Sequence, residues 1–457
     1  MAPSLIDDLS ALLAPEQLLA GDAALPFDRD LSDGTGVGVP LAAAFPSSTE
    51  QVASVVRLAA KHGVPIVPQG ARSGLAGGAN AVDGCLVLSL EHMTGILSID
   101  VADQVATVEA GVLTYDLATA VEQVGLFYPP DPGSWQISTI GGNVATNAGG
   151  MRCVKYGVTR DFVRGLTVVL ANGDVVRTGR RTVKGVSGLD LTALMVGSEG
   201  TLGIVTEVTV ALLPRPAEPV GVLAAFPARQ AALAAADVIM ASERRPSILE
   251  FLDRGSIAAI SAFEPTATLP ADAEAVLIVQ SDEPGRTTGD ANEYAAIAAF
   301  CGATTVEIGR DKAGVEAIMA SRRALHGAMR AVAGASLNED VSVPRSRLTE
   351  LLDGIDEIAE RMGMPIATAG HIGDGNLHPI VAFNPADVAS VALANETYQQ
   401  VIGLAVSLGG TSSGEHGIGT LKQAHLDAEL GPTLRALQRE VKRAFDPEGL
   451  LNPGKKL

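Results

Sequence analysis

Glycine gathers in short runs along this chain, and those runs narrow the folds open to it more than any other feature. One run reads Gln69-Gly70-Ala71-Arg72-Ser73-Gly74-Leu75-Ala76-Gly77-Gly78, after the strand-like Val64-Pro65-Ile66-Val67-Pro68. A second reads Thr139-Ile140-Gly141-Gly142-Asn143-Val144-Ala145-Thr146-Asn147-Ala148-Gly149-Gly150, preceded by Pro129-Pro130-Asp131-Pro132-Gly133-Ser134. A third reads Gly197-Ser198-Glu199-Gly200-Thr201-Leu202-Gly203-Ile204-Val205-Thr206. Successive glycines can turn several backbone N–H groups toward one anion, such as a pyrophosphate. The admixture of Asn, Thr and Ser suits a large polar cofactor bound by its edges, its face against apolar groups. None of the runs matches G-x-G-x-x-G, nor does Gly34-Thr35-Gly36-Val37-Gly38, so a nicotinamide-type Rossmann domain is disfavoured.

Two further runs lie near the C-terminus and carry three of the seven histidines. They read Gly370-His371-Ile372-Gly373-Asp374-Gly375-Asn376-Leu377-His378-Pro379 and Ser413-Gly414-Glu415-His416-Gly417-Ile418-Gly419. A lone histidine is more often a hydrogen-bonded structural group than a ligand. Two histidines at the ends of a glycine-rich turn, with a Glu-His pair between glycines elsewhere, make a metal site with a base beside it the better reading. Imidazoles and a carboxylate suit Zn²⁺, with Mn²⁺ or Fe²⁺ as alternatives.

At 457 residues the chain exceeds one typical core, so two domains are expected. A hydrophobic fraction of 47% describes a well-buried globular protein. The net charge of −19 argues against a nucleic-acid partner, since phosphate would be repelled. No apolar run reaches the roughly 18 residues of a membrane span. Met1-Ala2-Pro3-Ser4-Leu5-Ile6-Asp7-Asp8 has neither the basic nor the apolar part of a secretory signal. Cys85, Cys153 and Cys301 are too few and too scattered for a disulfide framework or an iron–sulfur site. The expected location is the cytoplasm, including a peripheral position at the inner face of the membrane.

Residues 1–36 read as a helical lead-in. Ser48-Thr49-Glu50-Gln51 is a capping-box pattern, Val52, Val55, Val56 and Ala59 follow at helical spacing, and Gly63 ends the helix. Thr114 to Val124 reads as a helix ending at Gly125. Leu166–Leu170 and Val175-Val176, joined by Ala171-Asn172-Gly173-Asp174, form the clearest hairpin signal. Three prolines between Pro214 and Pro219 mark a boundary. Beyond it, helices are expected around 228–242, 289–301 and 312–334, and strands near 275–280 and 365–370.

The three N-terminal runs together resemble the flavin-binding domain of the vanillyl-alcohol oxidase / para-cresol methylhydroxylase (PCMH) superfamily. The C-terminal runs resemble its D-2-hydroxyacid dehydrogenase branch, which includes D-lactate dehydrogenases, the flavin subunit of glycolate oxidase and D-2-hydroxyglutarate dehydrogenase. The resemblance extends from about Pro40 to Lys455. It implies an α+β protein: a two-subdomain FAD-binding domain of the PCMH type over 37–216, then an α+β substrate and metal-binding domain over 217–457. The latter would have an antiparallel sheet and flanking helices, with its last residues returning to the flavin.

The resemblance further implies that Gln69, Gly70, Ala71, Arg72, Ser73, Gly74, Leu75, Gly77 and Gly78 hold the FAD pyrophosphate. Pro130, Asp131, Ser134, Thr139, Gly141, Gly142, Asn143, Thr146, Asn147, Gly149, Gly150, Glu199, Gly203, Ile204, Val205 and Asn452 would line the rest of the cofactor. Some relatives attach FAD through a histidine in the first loop. Arg72-Ser73 offers neither histidine nor cysteine, so non-covalent FAD is expected. His371, His378 and Glu415 would bind the divalent metal, His416 would be the base, and Asp374 and Asn376 would be turn or supporting residues. Arg322 resembles the substrate-side arginine, whose guanidinium can clasp a carboxylate, and Arg345 is the second candidate.

On this reading a 2-hydroxy acid chelates the metal through carboxylate and hydroxyl, histidine takes the hydroxyl proton, and the Cα hydride passes to flavin N5. The 2-hydroxyglutarate enzymes hold the distal carboxylate with a Thr and a Lys, where this chain has His326 and Asn338. They carry an Asn where it has Ile380. The expected substrate is therefore a monocarboxylic D-2-hydroxy acid: D-lactate, glycolate or a longer apolar homologue. The alternatives are D-2-hydroxyglutarate dehydrogenase, an O₂-using oxidase or transferase on the same scaffold, and a flavin subunit active only in a respiratory complex. An external electron acceptor is required: a quinone, a cytochrome or an electron-transferring flavoprotein. A homodimer is the candidate assembly.

Overall fold

The capping signal at Ser48 does open the first long helix. Ser48 Oγ accepts the Gln51 N–H at 3.2 Å, and helix Thr49–His62 runs until Gly63, whose left-handed φ of 64° ends it. The box is not closed in the usual way, because the Gln51 carboxamide accepts from the Ser47 N–H at 2.8 Å instead. These elements belong to a computed structural model that describes residues 4–32, 35–264, 269–270 and 272–457. Gly34 of the Gly34–Gly38 stretch lies outside the described residues, as do Met1, Ala2 and Pro3.

The chain divides into two units. The first comprises Met1–Gly149, Val158–Arg215 and Glu415–Leu457. In it, β1 (Leu18–Ala20), β2 (Ala42–Ala44), β3 (Ile66–Gln69) and β4 (Leu86–Ser89) form a sheet in the order β1-β2-β4-β3. β2, β4 and β3 run parallel, with β1 antiparallel at the edge. β5 (Ile96–Asp100) and β6 (Val105–Glu109) begin a second sheet. After the short β7 (Leu126–Phe127) it continues through β8 (Val163–Val169), β9 (Val175–Gly179) and β10 (Ile204–Ala211), in the antiparallel order β5-β6-β10-β8-β9. β7 pairs with β11 (Leu213–Pro214). Gly173, at φ 79°, makes the β8–β9 turn that the Asn-Gly-Asp sequence calls for.

The lead-in over 1–36 is only partly helical. Helix Leu5–Leu12 is followed by 3₁₀ turns at Pro15–Gln17 and Gly21–Phe27, and β1 lies between them. Three residues are too few to show a periodicity. Pairing with β2 satisfies the backbone of both segments, and that decides the conformation. Leu5 and Leu9 join Val52, Val56, Ile66, Leu86, Val169 and Ile204 in one core. Leu451 enters the same core, bridging to Ile66, so the C-terminal turn is built into this unit.

The second unit comprises Gly150–Gly157 and Pro216–Gly414. Its strands are β12 (Val220–Phe226), β13 (Ile248–Asp253), β14 (Ala275–Ser281), β15 (Thr305–Gly309), β16 (Ala335–Asn338), β17 (Val341–Ser342), β18 (Ile366–His371) and β19 (Asn376–Phe383). They form one antiparallel sheet in the order β15-β12-β14-β13-β18-β19-β16, with β17 also on β19. The helices expected beyond the prolines are Arg229–Ala241, Thr287–Phe300 and Lys312–Ala333. One sheet face packs Leu223, Ile248, Leu252, Ile278, Ala369 and Ile380 against Ile257 and Ile260 of helix Arg254–Phe263 and against Ile318, Met319 and Leu325 of helix Lys312–Ala333. Side chains alternate along a strand, so Glu250, His371 and His378 point to this helix-covered face too. Among the described residues no helix is long and apolar enough to cross a membrane.

Candidate active site

The two histidines of the Gly370–Pro379 segment stand on a β-hairpin. His371 is the last residue of β18 and His378 lies three positions into β19, with the turn Ile372–Gly375 between the strands. Glycine is required here by contact. A Cβ on Gly370 would sit 2.5 Å from the Asn376 carbonyl oxygen, one on Gly373 would sit 2.4 Å from Val154 Cγ2, and one on Gly375, at φ 87°, would meet the Val343 carbonyl oxygen at 2.2 Å.

Each imidazole is held by its Nδ1. His378 Nδ1 faces the Glu339 carbonyl oxygen at 3.2 Å, and His371 Nδ1 faces Glu250 Oε1 at 2.5 Å. Both acceptors favour the Nδ1–H tautomer, which leaves the Nε2 lone pairs for another partner. The two Nε2 atoms are 3.3 Å apart and face each other. Two lone pairs at that distance repel unless a cation or a proton lies between them. Two imidazoles on one tetrahedral zinc, at about 2.0–2.1 Å each, place their nitrogens about 3.3 Å apart, so the pair fits a shared metal.

Glu415 completes the donor set. One ligand atom from each of His371, His378 and Glu415 lies within 4.8 Å of the others. Glu415 directly follows Gly414, and a Cβ on Gly414 would meet Asn376 Nδ2 at 1.8 Å, so only glycine lets the chain pass there. Asn376 Nδ2 donates to Asp340 Oδ1 at 2.7 Å, and Ser413 Oγ donates to Asp340 Oδ2 at 2.7 Å. The buried Asp340 thus ties the hairpin to the approach of Glu415. Asn338 Oδ1 and Asn376 Oδ1 are buried with no hydrogen-bond partner among the described residues, which leaves polar atoms for a ligand. His416 is mostly buried, and its Nε2 is 4.0 Å from Glu415 Oε1.

Sequence reading missed Glu250. It sits in the apolar strand β13, is fully buried, and lies directly opposite His371 in the β13–β18 register. Its second oxygen accepts from Arg322 Nε at 2.7 Å. Burial pushes this carboxyl up, but the hydrogen bonds from His371 and Arg322 and the guanidinium charge of Arg322 outweigh that and hold it below the usual carboxylate range. Arg322 projects from helix Lys312–Ala333, and His326 lies one turn further along the same helix face. Asn338 lies directly opposite Ile380, two residues beyond His378. Arg345 opens the 3₁₀ turn Arg345–Arg347.

The predicted cofactor residues, apart from Gly150 of the second unit, lie in the first unit, at strand ends, in helix Ile140–Thr146 and in the loops beside them. Gln69 ends β3 and donates to the Phe27 and Ala79 carbonyls at 2.8 and 2.7 Å, so it ties the two ends of the Gln69–Gly78 loop. Gly70 lies so near Thr139 that a Cβ would meet Oγ1 at 2.3 Å. Thr139 caps helix Ile140–Thr146, and Gly141 presses its backbone onto Ala110. Asn143 Nδ2 donates to Thr114 Oγ1 at 2.7 Å. Pro130, Asp131 and Ser134 lie in the irregular run after β7, and Gly203 precedes Ile204 and Val205 at the start of β10.

Arg72, Asn147, Glu199 and Asn452 all have left-handed φ, at 54°, 57°, 53° and 42°. Such strain in non-glycine residues gathers where a fold shapes a ligand surface. These backbone approaches and the buried Gln69 Oε1, which has no partner among the described residues, fit a cofactor held along backbone edges. All four of these side chains bind protein: Arg72 pairs with Glu91 at 3.5 Å, and Asn147 Oδ1 accepts the Arg160 N–H at 2.9 Å. Glu199 accepts the Ile418 and Gly419 N–H groups at 2.8 and 2.7 Å, and Asn452 Nδ2 donates to the Gly78 and Glu199 carbonyls at 3.0 and 2.7 Å.

Two family models match the chain. "FAD linked oxidases, C-terminal domain" covers residues 215–456, and "FAD binding domain" covers residues 40–179. The chain is 41% identical over 418 residues to "Glycolate oxidase subunit GlcD" of Bacillus subtilis, covering 91% of this chain and 89% of that protein. It is 35% identical over 471 residues to "D-lactate dehydrogenase" of Anaerostipes hadrus, covering 100% and 97%. Among solved structures, p-cresol methylhydroxylase with substrate bound superposes with a TM-score of 0.82 at 18% identity, over 99% of this chain and 96% of that one. 4-Ethylphenol oxidase from Gulosibacter chungangensis superposes with a TM-score of 0.79 at 20% identity, over 99% and 96%. These two structures share the PCMH-type α+β fold.

Proposed function

Because this chain belongs to the FAD-linked oxidase family, as an FAD-dependent hydroxyacid dehydrogenase, we propose that it oxidises a monocarboxylic D-2-hydroxy acid, such as D-lactate or glycolate, to the 2-oxo acid. The observation that carries this reading is the pair of imidazoles, each fixed through Nδ1, with Nε2 atoms 3.3 Å apart and the Glu415 carboxylate beside them. That set would hold a divalent metal, with zinc the best match to the donors and manganese or iron as alternatives. When bound, the metal supplies Lewis-acid polarisation of the substrate oxygens and the flavin supplies the two-electron acceptor.

The protein's own residues do the rest. Arg322, its Nε edge held by Glu250, presents its Nη groups to the substrate carboxylate. His416 accepts the hydroxyl proton at an imidazole nitrogen and is the base. The Gln69–Gly78 loop, Thr139–Gly150 and Gly203–Val205 hold FAD non-covalently, with Pro130, Asp131, Ser134, Glu199 and Asn452 around them. His326, Asn338 and Ile380 supply neither a second cation nor the polar set a distal carboxylate would need, which favours a single-carboxylate substrate. An external acceptor, whether quinone, cytochrome or flavoprotein, reoxidises the enzyme.

The deciding experiment is anaerobic mixing of purified protein with D-lactate, L-lactate and D-2-hydroxyglutarate while the flavin absorption is followed. Bleaching by D-lactate alone supports the proposal. Faster bleaching by D-2-hydroxyglutarate sinks the substrate assignment. Relatives named as glycolate oxidase subunits favour a second reading, in which the chain works only inside a larger assembly. Turnover of D-lactate by the isolated chain with an artificial dye would refute it.

A further inference from the structure

Glu250 is a fully buried carboxylate on a sheet face that also carries the apolar Ile248, Leu252, Ala369 and Ile380. An ionised group there is expensive unless both oxygens are partnered. Both are: Oε1 meets His371 Nδ1 at 2.5 Å and Oε2 meets Arg322 Nε at 2.7 Å. The register fixes the first contact, since Glu250 and His371 are cross-strand partners in β13 and β18. Helix Lys312–Ala333 delivers the second.

Neither contact is interchangeable with a packing interaction. The first decides which imidazole nitrogen of His371 carries the proton, and so whether its Nε2 lone pair faces His378. The second decides which edge of the Arg322 guanidinium is used inside the protein and which edge is left outward. One carboxylate therefore orients a metal-ligating histidine and a substrate-binding arginine together.

We propose that Glu250 is a positioning residue that couples the metal site to the substrate-carboxylate site. This rests on the metal and arginine roles given above and adds the residue that links them. Glu250→Gln is the sharp perturbation because it keeps size and removes one acceptor. A carboxamide has one oxygen for two donors, so its NH₂ must face either His371 Nδ1 or Arg322 Nε. Facing His371, it selects the tautomer with the proton on Nε2, the atom needed for the metal. Facing Arg322, it releases the guanidinium.

The test titrates Co²⁺ into FAD-bound, metal-stripped protein and reads the cobalt d–d absorption, with the flavin absorption recording that the fold and FAD are intact. KM and kcat for D-lactate are measured on the same proteins. Glu250→Gln is expected to weaken Co²⁺ binding about 10–100-fold and to raise KM, with FAD content unchanged. Glu250→Asp, whose charge is kept but withdrawn by one methylene, is expected to lie between wild type and Glu250→Gln in Co²⁺ affinity, and serves should Glu250→Gln not fold. Wild-type Co²⁺ affinity together with wild-type KM in the variants overturns the role of Glu250 alone. A wild-type protein that takes up no Co²⁺ overturns the metal reading and this inference with it.

Discussion

Replacing Glu199 should loosen the segment that carries Glu415 and His416, even though its own carboxylate ligates nothing in the proposed chemistry. Glu199 is 5% exposed, and its two oxygens accept the N–H groups of Ile418 and Gly419 at 2.8 and 2.7 Å. Lys456 Nζ lies 3.3 Å from the same carboxylate. A hydrogen bond to a charged group contributes about 1.5–3 kcal/mol, and a buried donor stripped of its acceptor forfeits a similar amount. Glu199→Ala removes both acceptors, so the anchoring of residues 415–419 should fall by about 3–6 kcal/mol. Glu199→Gln keeps one carbonyl oxygen and turns an NH₂ toward the other amide, so it should lose about half as much. The left-handed backbone at φ 53° is unfavourable for Glu, Gln and Ala alike and cancels from the comparison.

The assay is native-state hydrogen exchange of peptides spanning 413–422, with peptides from helix Thr49–His62 as the unaffected reference. Protection at Ile418 and Gly419 should drop by 100-fold or more in Glu199→Ala, since each 1.4 kcal/mol is tenfold. Activity should fall with it, because the residues displaced are the proposed metal ligand Glu415 and the proposed base His416. Unchanged protection in the alanine variant would refute the reasoning: the two short hydrogen bonds would then contribute nothing net, and some other contact would hold the segment.

Other substitutions separate the proposed roles. His416→Ala should slow flavin reduction by D-lactate about 10²–10⁴-fold while FAD and metal stay bound, checked by stopped-flow absorbance and metal analysis. His378→Ala should lose metal and activity together, and chelation of the wild type should do the same reversibly; a His378→Ala protein with full metal content would show the ligand set to be wrong. Gly414→Ala, whose new methyl would collide with Asn376, should reduce metal content and activity at least tenfold with FAD retained, measured on one sample by metal analysis and flavin absorbance.

Much of the proposed site could be read along the chain because glycine leaves a local trace. Gly370, Gly373, Gly375 and Gly414 each mark a place where backbone or side chain passes too close for a Cβ, and they flank the proposed ligands within one or two short segments. The hairpin at Asn172-Gly173 and the helix from Thr49 were legible for the same reason, since turn and cap chemistry lie inside a few neighbouring residues. β1 was not, because Leu18-Leu19-Ala20 becomes a strand only by pairing with Ala42–Ala44. The use of Glu199 could not be read either. Its position in a glycine-rich loop pointed to the cofactor, while its carboxylate binds amides more than 200 residues away, at separations of 219 and 220.

Glu250 is the extreme of this limit. It stands inside the apolar stretch Ile248-Leu249-Glu250-Phe251-Leu252, and alternation alone would place it on a face with Ile248 and Leu252, where a charge does not belong. Its partners lie 72 and 121 residues away, and no local spacing announces either. Yet the contradiction itself is informative. A strand that puts a carboxylate in line with core residues must supply cations or donors from other elements, or the unit loses stability. Local rules therefore fail most visibly at residues held by distant partners, and here that failure falls on the carboxylate between the proposed ligand His371 and the proposed substrate arginine Arg322.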